Sequence, residues 1–540
     1  MSSRTLPLAL AALLGVAAPL AAPATAQAFC GFYVSGADQK LYNNATLVVM
    51  MREGTRTVLS MQNNYQGPPE DFAMVVPVPI VLQEENVKTL AKELFTHVDQ
   101  LAAPRLVEYW EQDPCYVEPP WEEEAKSVRF SAQPAPMPEA DEADDLGVKI
   151  EAQFTVGEYQ IVILSAKDAS GLDTWLRREK YAIPPGAEPL LRPYVEEGMK
   201  FFVAKVDIKK VQFDAQGQVM LSPLRFHYDS PEFRLPVRLG LINSQGTQDL
   251  LIHILSRGKR YEVANYPNAT IPTNIDVDDS VRERFGEFYA ALFDATIAQT
   301  RGAVITEYSW DSGTCDPCPT PPLDGNEIAT LGGDVSGAPQ EPWGYGSMVL
   351  TRLHARYGKE SLGEDLIFRE APAIVGGREW MMDGGKVEKG ARQDGTNNFQ
   401  ARYVIRHKWT GPIHCQNPIR GRWGGPWPGE TQSGPKAATD LAFAKRGDIA
   451  LPRMVEEDIP EIGVMMVAEG PPERVAKVHD TAPPAETPPA TTPAAEEASK
   501  HGSASAITRS ACSCRSDGGD PTGLLAGLGV VIFAARRRRR

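Results

Sequence analysis

A Cys-x-x-Cys pair is the motif of this chain whose residue types and spacing could most directly support chemistry. Cys315 and Cys318 enclose Asp316 and Pro317 in a proline-rich stretch. A thiol–disulfide enzyme needs one exposed thiol of low pKa, usually at a helix N-terminus. No helical pattern follows Cys318, and the enclosed acid works against a stable thiolate. A structural disulfide is therefore the favoured interpretation, with a redox pair as the alternative.

The other cysteines extend the disulfide hypothesis. The residues expected to form bridges in an oxidising compartment are Cys30, Cys115, Cys315, Cys318 and Cys415. A bridge from Cys30 to Cys115 would close a long loop and contribute about 4 kcal/mol in the chain-entropy model. The remaining three cysteines would then share one bridge and one free thiol.

Metal binding is a second chemistry open to these cysteines. His414 and Cys415, together with Cys315 and Cys318, are side chains of the types that zinc accepts. Adjacent residues such as His414 and Cys415 reach a single metal ion awkwardly, and an oxidising compartment favours disulfides. We therefore predict no metal ligands and no cofactor, with this set of four as the alternative.

Acid catalysis has a weaker basis in the sequence. Asp311-Ser312-Gly313-Thr314 resembles the catalytic loop of aspartic proteases, but that chemistry needs two carboxylates sharing a proton, and the chain has no second copy. We expect Asp311 to form an Asx-turn instead. Five histidines are scattered, mostly within apolar patterns that predict packed or surface side chains: His97, His227, His253, His354 and His407. No catalytic residue is therefore predicted.

A Trp- and Gly-rich stretch suggests binding rather than catalysis. It runs from Trp409 to Trp427. Aromatic rings on flexible loops suit the apolar faces of sugars, so a carbohydrate ligand is one interpretation. The alternative is a loop that folds its tryptophans onto the protein core.

Composition limits the class of partner. The chain has 540 residues, of which 42% are hydrophobic and 23% charged, so it can bury a large core. Its formal net charge is −15. Proteins that bind nucleic acid through the phosphate backbone need a basic face, so we exclude nucleic acid as the main ligand.

Apolar periodicity predicts an α+β fold of mixed, mainly antiparallel sheets with a few flanking helices. A hairpin is predicted over residues 45–63. Further strands are predicted at 72–79, 148–154, 159–164, 200–209, 219–227, 236–242, 250–256, 303–310, 366–369 and 401–407. Helices are predicted at 87–101, 172–178, 189–197, 281–298 and 348–357. The prolines of 72–79 predict an edge strand or the end of a strand.

The N-terminal residues have the pattern of a secretory signal peptide. Arg4 precedes an apolar run from residue 6 to residue 20, and small residues at Ala24, Ala26 and Ala28 provide cleavage sites. We therefore predict that residues 1–26 are removed on export.

The C-terminal residues combine thiols, an apolar run and a basic stop. Cys512 and Cys514 precede the run at 523–535, and five arginines follow at 536–540. The run has about 13 residues, or ~20 Å as a helix, which is short for a membrane span. This order, over about residues 510–540, resembles the myxobacterial C-terminal sorting signal (MYXO-CTERM). The resemblance implies export, processing or lipid attachment at Cys512 or Cys514, and surface attachment; an ordinary tail anchor is the alternative.

A second resemblance covers most of the chain. Cys30-Gly-Phe-Tyr, the 72–79 segment, Leu221-Ser-Pro-Leu-Arg-Phe-His-Tyr and the Cys315–Cys318 motif are similar to segments of a bacterial exported family, domain of unknown function 2330. The likeness extends over about residues 28–360. It implies export and a single fold, and it brings no assigned activity.

These patterns together predict five segments. They are a signal peptide at 1–26, an α+β domain at 27–360, a Gly/Trp-rich extension packed on it at 361–480, a Pro/Ala/Thr/Glu tether at 481–510 and a sorting tail at 511–540. We expect a non-catalytic binding or structural module at the cell surface. Its expected partners are the membrane, through the tail or an attached lipid, and an envelope protein or carbohydrate. An extracytoplasmic hydrolase or thiol–disulfide enzyme is the alternative.

Overall fold

Stretches rich in β-branched and aromatic residues tend to fold into strands. A computed structural model gives the positions of the strands and helices in this chain. It describes residues 32–34, 42–66, 73–116, 147–179, 181, 186–213, 219–242, 247–337, 345–358, 360–361, 363–378, 381–382, 386–429, 434–438, 446–447 and 449–467. The chain divides into two units, residues 1–472 and 473–540, and all described residues lie in the first. The predicted signal peptide, tether and tail lie outside them, as do Cys30, Cys512 and Cys514. No helix in the described segments is both long and apolar enough to cross a membrane.

The strands are numbered in chain order. They are β1 (Phe32–Val34), β2 (Tyr42–Glu53), β3 (Arg56–Gln66), β4 (Ala73–Val78), β5 (Val87–Thr89), β6 (Arg105–Glu111), β7 (Val148–Val156), β8 (Tyr159–Ala166), β9 (Lys200–Val206), β10 (Gln212–Phe213), β11 (Val219–Met220), β12 (Leu224–Asp229), β13 (Arg234–Leu235) and β14 (Gln248–Arg257). They continue with β15 (Arg260–Val263), β16 (Asn268–Thr270), β17 (Ile275–Asp276), β18 (Val304–Asp311), β19 (Met348–Tyr357), β20 (Leu366–Ala371), β21 (Ile374–Gly376), β22 (Met381–Met382), β23 (Lys386–Val387), β24 (Arg392–Gln393), β25 (Asn398–Gln400), β26 (Arg402–His407), β27 (Trp423–Gly424) and β28 (Lys436–Ala437).

The helices are fewer and flank the sheets. They are α1 (Lys92–Ala102), α2 (Ala169–Arg178), α3 (Glu188–Glu196), α4 (Phe285–Gln299) and the single turn α5 (Gly325–Ile328). Helices and strands do not alternate regularly, and most strand pairs are antiparallel. The predicted α+β class is confirmed.

The largest sheet has eleven strands and supplies most of the core. Its order is β24-β21-β25-β18-β19-β14-β2-β3-β12-β5, with β16 beside β18. Neighbours are antiparallel except β14 with β2, β21 with β25 and β16 with β18. The predicted hairpin is confirmed as β2 and β3, which pair down to Glu53 opposite Arg56. Gly54, at φ 56°, makes the turn between them.

A second, antiparallel sheet packs face to face on the first. Its order is β1-β4-β9-β8-β7. Side chains from both sheets, such as Met50 of β2 and Ile161 of β8, form one apolar cluster. Within it, the rings of Phe202 and Phe226 lie 5.3 Å apart. The fold is therefore a sandwich at this point.

Helices cover the outer face of each sheet. The second sheet buries its outer face under α2 and α3, and Trp175 is one of the contacts. On the large sheet, Val49 and Met51 point away from the sandwich and meet Phe95 of α1. Alternate residues of β2 thus serve two different cores, as the two-residue period of a strand requires. A further core forms where α4 packs on β18, β25 and β26.

A smaller sheet joins distant parts of the chain. Its order is β17-β26-β6-β27, and β28 also pairs with β6. β6 and β26 are parallel, from Arg105 opposite Arg402 to Trp110 opposite His407. Parallel strands end at the same edge of a sheet, so the segments that follow β6 and β26 leave the sheet together.

The segment 348–357 is a strand, and the prediction of a helix there is wrong. Polar Arg352 and His354 alternate with apolar Leu353 and Ala355, which is the period of a strand. β14 and β18 pair with this strand on its two sides. The prediction failed because its apolar residues also occur at helical spacing.

Three other predictions need correction. The helix predicted over 87–101 begins only at Lys92, because residues 87–89 pair with β12 as a strand. Residues 238–242 form a 3₁₀-helix rather than a strand, and Pro236 just before them cannot donate to a sheet ladder. β4 lies between β1 and β9 rather than at an edge, whereas the alternative of a strand end is right for Pro77, which lies next to the last residue of β4 and beyond the residues that pair with β1.

Candidate functional site

A cluster of charged side chains is buried where α1 and α4 cover the large sheet. Arg352 and His354 lie on one face of β19, two residues apart. On β18 the register shifts between Thr306 and Tyr308, and Glu307 occupies this β-bulge. A bulge changes the direction of a side chain, and here it gives Glu307 contact with both cations of β19.

Glu307 is the centre of this buried network and is 0% exposed. Its Oε1 accepts hydrogen bonds from the Tyr289 hydroxyl at 2.6 Å and from His354 Nδ1 at 2.7 Å. Its Oε2 accepts from Arg352 Nε at 2.6 Å. Burial alone would raise the pKa of Glu307, but the charges of His354 and Arg352 outweigh burial and lower it to about 2. Glu307 is therefore ionised in the folded protein.

His354 connects Glu307 to a second buried carboxylate, Asp249. Its Nε2 lies 3.1 Å from Asp249 Oδ1. Both ring nitrogens face acceptors, so both donate and the ring is cationic. Burial opposes this charge, but the two carboxylates raise the pKa of His354. Arg356 Nη1 donates to Asp249 Oδ2 at 2.5 Å, and the His354 ring stacks on Phe293 of α4 at 3.9 Å.

Arg352 extends the network to α1. Its Nη1 donates to Asp99 Oδ1 at 2.5 Å. His253 of β14 lies on the same side, with Nε2 3.8 Å from Asp99 Oδ1. Burial and the positive charge of Arg352 lower the pKa of His253 well below its usual value, so this ring is neutral. The network thus ties α1 and α4 to the sheet.

The network is buried inside the protein. Its members are at most 7% exposed, and they are Glu307, Arg352, His354, Asp249, Asp99 and His253. At least one cation faces each of the three carboxylates, and Asp249 has Arg356 and Arg446 beside it as well as His354. The prediction of packed histidines is confirmed for His253 and His354. Arg352 was missed, although the alternation of charged and apolar residues along β19 could have indicated it, and the three acids were missed because they lie on other elements.

The network predicts how stability depends on pH. Because the pKa of Glu307 is lower in the folded than in the unfolded chain, its contribution is present above about pH 4.5 and is lost as the pH falls toward about 2. His354 has the opposite sign: its contribution is present below about pH 6.5 and is lost as the pH rises through its raised folded pKa. We expect the urea concentration at the unfolding midpoint to fall as the pH is lowered from about 4.5 toward about 2. In a Glu307→Gln variant this midpoint should fall less over the same pH range. Equal acid slopes for both proteins would contradict this prediction.

Asp311 is a turn residue, as predicted. Its Oδ1 accepts the backbone N–H of Gly313 at 2.8 Å, which is an Asx-turn. The Ser347 hydroxyl donates to its other carboxylate oxygen. Both oxygens of Asp311 are thus engaged in local structure, which gives the protease hypothesis no support.

The Cys-x-x-Cys loop is closed by a bridge between Cys315 and Cys318, whose Cα atoms are 4.9 Å apart. Cys318 is exposed, and Cys315 is half-buried. Buried Arg105 donates through Nη1 to the carbonyl oxygen of Pro317 at 2.8 Å. Buried Gln400 donates through Nε2 to the carbonyl oxygen of Asp316. The start of β6 and the end of β25 therefore hold the loop from inside.

The second bridge joins Cys115 to Cys415, so the predicted pairing of Cys115 with Cys30 is wrong. The two Cα atoms are 5.5 Å apart although the residues are 300 positions apart. The parallel pairing of β6 and β26 explains this, because the segments after both strands leave the same sheet edge. With Cys415 in this bridge, the metal alternative that included His414 is not assembled. No group of three or more metal-ligating side chains occurs among the residues that the structure describes.

The Trp/Gly-rich stretch folds around Glu111, the last residue of β6. Glu111 is buried, and its carboxylate accepts the N–H groups of Trp409 at 3.0 Å and Gly421 at 2.8 Å. Arg420 Nη2 lies 3.0 Å from Glu111 Oε2. The indole of Trp427 donates to the Glu111 carbonyl at 2.8 Å. One residue therefore fixes both ends of the stretch.

The tryptophans pack mainly on their own surroundings. Trp409 and Trp427 meet edge to face, with ring centroids 5.8 Å apart. The Arg406 guanidinium lies 4.8 Å from the ring centroid of Trp423. All three tryptophans are half-buried. This agrees with the alternative prediction from the sequence, in which the loop folds its tryptophans onto the protein core. These contacts leave less of each tryptophan ring open for stacking against a sugar.

Large apolar side chains are exposed beside this second bridge. Tyr116 is 52% exposed, Ile413 44% and Ile419 59%. The Ile419 N–H donates to Pro114 O at 2.9 Å, which holds the two segments together. We call Tyr116, Ile413 and Ile419 the Cys415 surface. All three lie within four positions of a bridged cysteine, and exposed apolar side chains that lie close together can mark an interaction site.

Comparison with known protein families shows which family this chain belongs to. A family described as an uncharacterized protein conserved in bacteria, DUF2330, matches residues 23–369, more than half of the chain. The chain belongs to the DUF2330 family. No curated protein and no solved structure matches it. The resemblance predicted over about residues 28–360 is thereby confirmed.

The DUF2330 match ends inside β20, at residue 369. Cys115 lies within the DUF2330 region and Cys415 lies beyond it, so their bridge connects the two. β26, which pairs with β6, also lies beyond the match. The Cys415 surface is therefore built jointly by the DUF2330 region, through Tyr116, and by the chain that follows it.

Proposed function

We propose that this DUF2330 protein is exported and attached to the cell envelope, where it serves as a binding module rather than an enzyme. The N-terminal pattern supports removal of residues 1–26. The resemblance of residues 510–540 to the MYXO-CTERM signal supports processing at Cys512 or Cys514 and surface attachment. The composition of residues 481–510 supports an extended tether that holds the folded part away from the membrane.

The observation that carries the binding role is the Cys415 surface. Its three exposed apolar side chains lie on segments that a disulfide and the buried Glu111 hold in place. An ordered surface of this kind loses little conformational entropy when a partner covers it. The charged clusters that could suggest catalysis are instead buried in matched pairs.

An envelope protein is the partner that this surface favours. Two of its side chains are aliphatic and one is a tyrosine, and the buried centre of a protein interface is more apolar than the rest of the surface and is enriched in tyrosine. Arg420, whose side chain is 47% exposed, provides charge at its border. A carbohydrate, the other partner expected from the sequence, fits less well because the tryptophan rings are partly covered by one another.

Site-specific photo-crosslinking in intact cells tests this proposal. A benzophenone amino acid at position 116 is expected to give an adduct with an envelope protein, and the same group at the exposed Ile80 is expected to give none. Ile413→Asp together with Ile419→Asp should reduce the adduct at least tenfold, because charges would be buried without partners. Ile80→Asp is the matched control. An unchanged adduct in the double variant would contradict the proposed surface.

A further inference from the structure

The Cys315–Cys318 bridge combines an exposed cysteine with a loop that hydrogen bonds from buried residues also hold in position. Cys318 is exposed, whereas Cys315 packs partly against the apolar cluster under α1. The donors from Arg105 and Gln400 fix the backbone between the two cysteines. The Leu323 N–H donates to Ser312 O at 2.9 Å and closes the base of the loop.

We propose that this bridge is a reversible thiol–disulfide exchange site that accepts an electron pair from a dithiol reductant. The site lacks the features of an attacking thiolate, since no helix begins at Cys318 and Asp316 lies within the loop. Those features are not needed in a disulfide that is attacked, because the reductant supplies the thiolate. This inference is independent of the binding surface.

The exchange has two balanced steps. A thiolate of the reductant attacks Cys318 Sγ, the bond to Cys315 Sγ breaks, and Cys315 leaves with the electron pair and takes a proton. The second thiol of the reductant loses its proton and attacks the mixed disulfide, which releases Cys318 as a thiolate that is then protonated. The dithiol has lost two electrons and two protons and has become a disulfide. The loop holds two thiols.

A cleft beside α1 adjoins the Cys315 end of the bridge. An open cleft of about 440 Å³ is lined by α1 residues, including Lys92 and His97, and by Thr320 and Pro321 just after the cysteines. The Thr320 carbonyl lies 3.9 Å from Cys315 Sγ, so the cleft adjoins the bridge. A reductant carrying its dithiol on a peptide loop could rest there during attack on Cys318.

The second bridge provides an internal control. Cys115 and Cys415 are both half-buried, and their segments are packed against each other through the Ile419–Pro114 hydrogen bond. Disulfide exchange requires access to a sulfur. We therefore expect the two bridges of the same folded molecule to differ in reactivity.

A redox titration of the full chain tests the proposal. The protein is equilibrated with reduced and oxidised dithiothreitol, quenched with acid, alkylated and mapped by mass spectrometry. We expect Cys315 and Cys318 to titrate together and reversibly while Cys115 and Cys415 stay bridged and the unfolding temperature changes by less than a few degrees. Reduction of both bridges only when the protein unfolds would overturn the proposal.

Single-cysteine variants test the direction of attack. Cys315→Ser leaves the exposed sulfur and Cys318→Ser leaves the half-buried one, and both keep the loop donors from Arg105 and Gln400. In each variant the remaining cysteine is first converted to its mixed disulfide with thionitrobenzoate, and we expect dithiothreitol to attack Cys318 of the first variant and release thionitrobenzoate at least tenfold faster than from Cys315 of the second. Equal rates would contradict Cys318 as the attacked sulfur, even if one variant were less stable.

Discussion

Replacing Arg352 with methionine is expected to destabilise the fold by about 3–5 kcal/mol. Arg352 is 0% exposed and donates to both Glu307 and Asp99. Methionine has a similar length but no charge, so two buried carboxylates would lose their shared cation. Removing one member of a buried ionic network costs far more than the intact network contributes, because the remaining charges stay desolvated. Urea unfolding followed by circular dichroism measures the change.

A surface pair provides the control for this prediction. Arg177, whose side chain is 48% exposed, pairs with half-buried Asp173 one helical turn away on α2. Arg177→Met should change the free energy of unfolding by less than about 0.5 kcal/mol. Adding Glu307→Gln to Arg352→Met should recover part of the loss, because one of the two buried carboxylates that lose Arg352 is then neutral. Similar losses for Arg352→Met and Arg177→Met would show that the buried network does not stabilise the fold.

Removing the Cys115–Cys415 bridge is expected to destabilise the protein by about 2–5 kcal/mol. The bridge joins residues 300 positions apart, so its loss greatly increases the conformational freedom of the unfolded chain. Cys115→Ser with Cys415→Ser tests this by thermal unfolding. The same variant should also weaken the photo-crosslink at Tyr116, because the two segments of the Cys415 surface would no longer be joined.

The short bridge is the matched control for the long one. Cys315→Ser with Cys318→Ser removes a disulfide that spans only three positions, and Arg105 still holds the loop. In the chain-entropy model the cost rises with loop length, so this variant should lose less stability than the other. Equal losses from the two variants would contradict this account of the bridges.

Local periodicity was sufficient for most of the fold. Residues 45–63 alternate as strands do and have a turn at Gly54, and both features concern neighbours in the sequence. The segment 348–357 was ambiguous, because Leu350, Leu353 and Tyr357 fit helical spacing while the intervening charges fit a strand. The pairing with β14 and β18 decided between them, and such pairing is not visible in one segment.

Long-range contacts account for what the sequence did not predict at the candidate site. Cys115 pairs with Cys415 only because β6 and β26 are parallel neighbours, and nothing near either cysteine indicates this. Glu307 reaches its partners through a β-bulge, which has no distinct local pattern. The sequence therefore indicated that these cysteines would form disulfides, but which cysteines pair depends on the order of the strands in the sheets.

Mass spectrometry of the protein from its native envelope tests the central claim most directly. We predict a mature N-terminus just after Ala26 or Ala28, the absence of all residues beyond Cys512 or Cys514, and added lipid mass on the C-terminal peptide. A protein that keeps Met1 and the five terminal arginines, without lipid, would contradict export and surface attachment together.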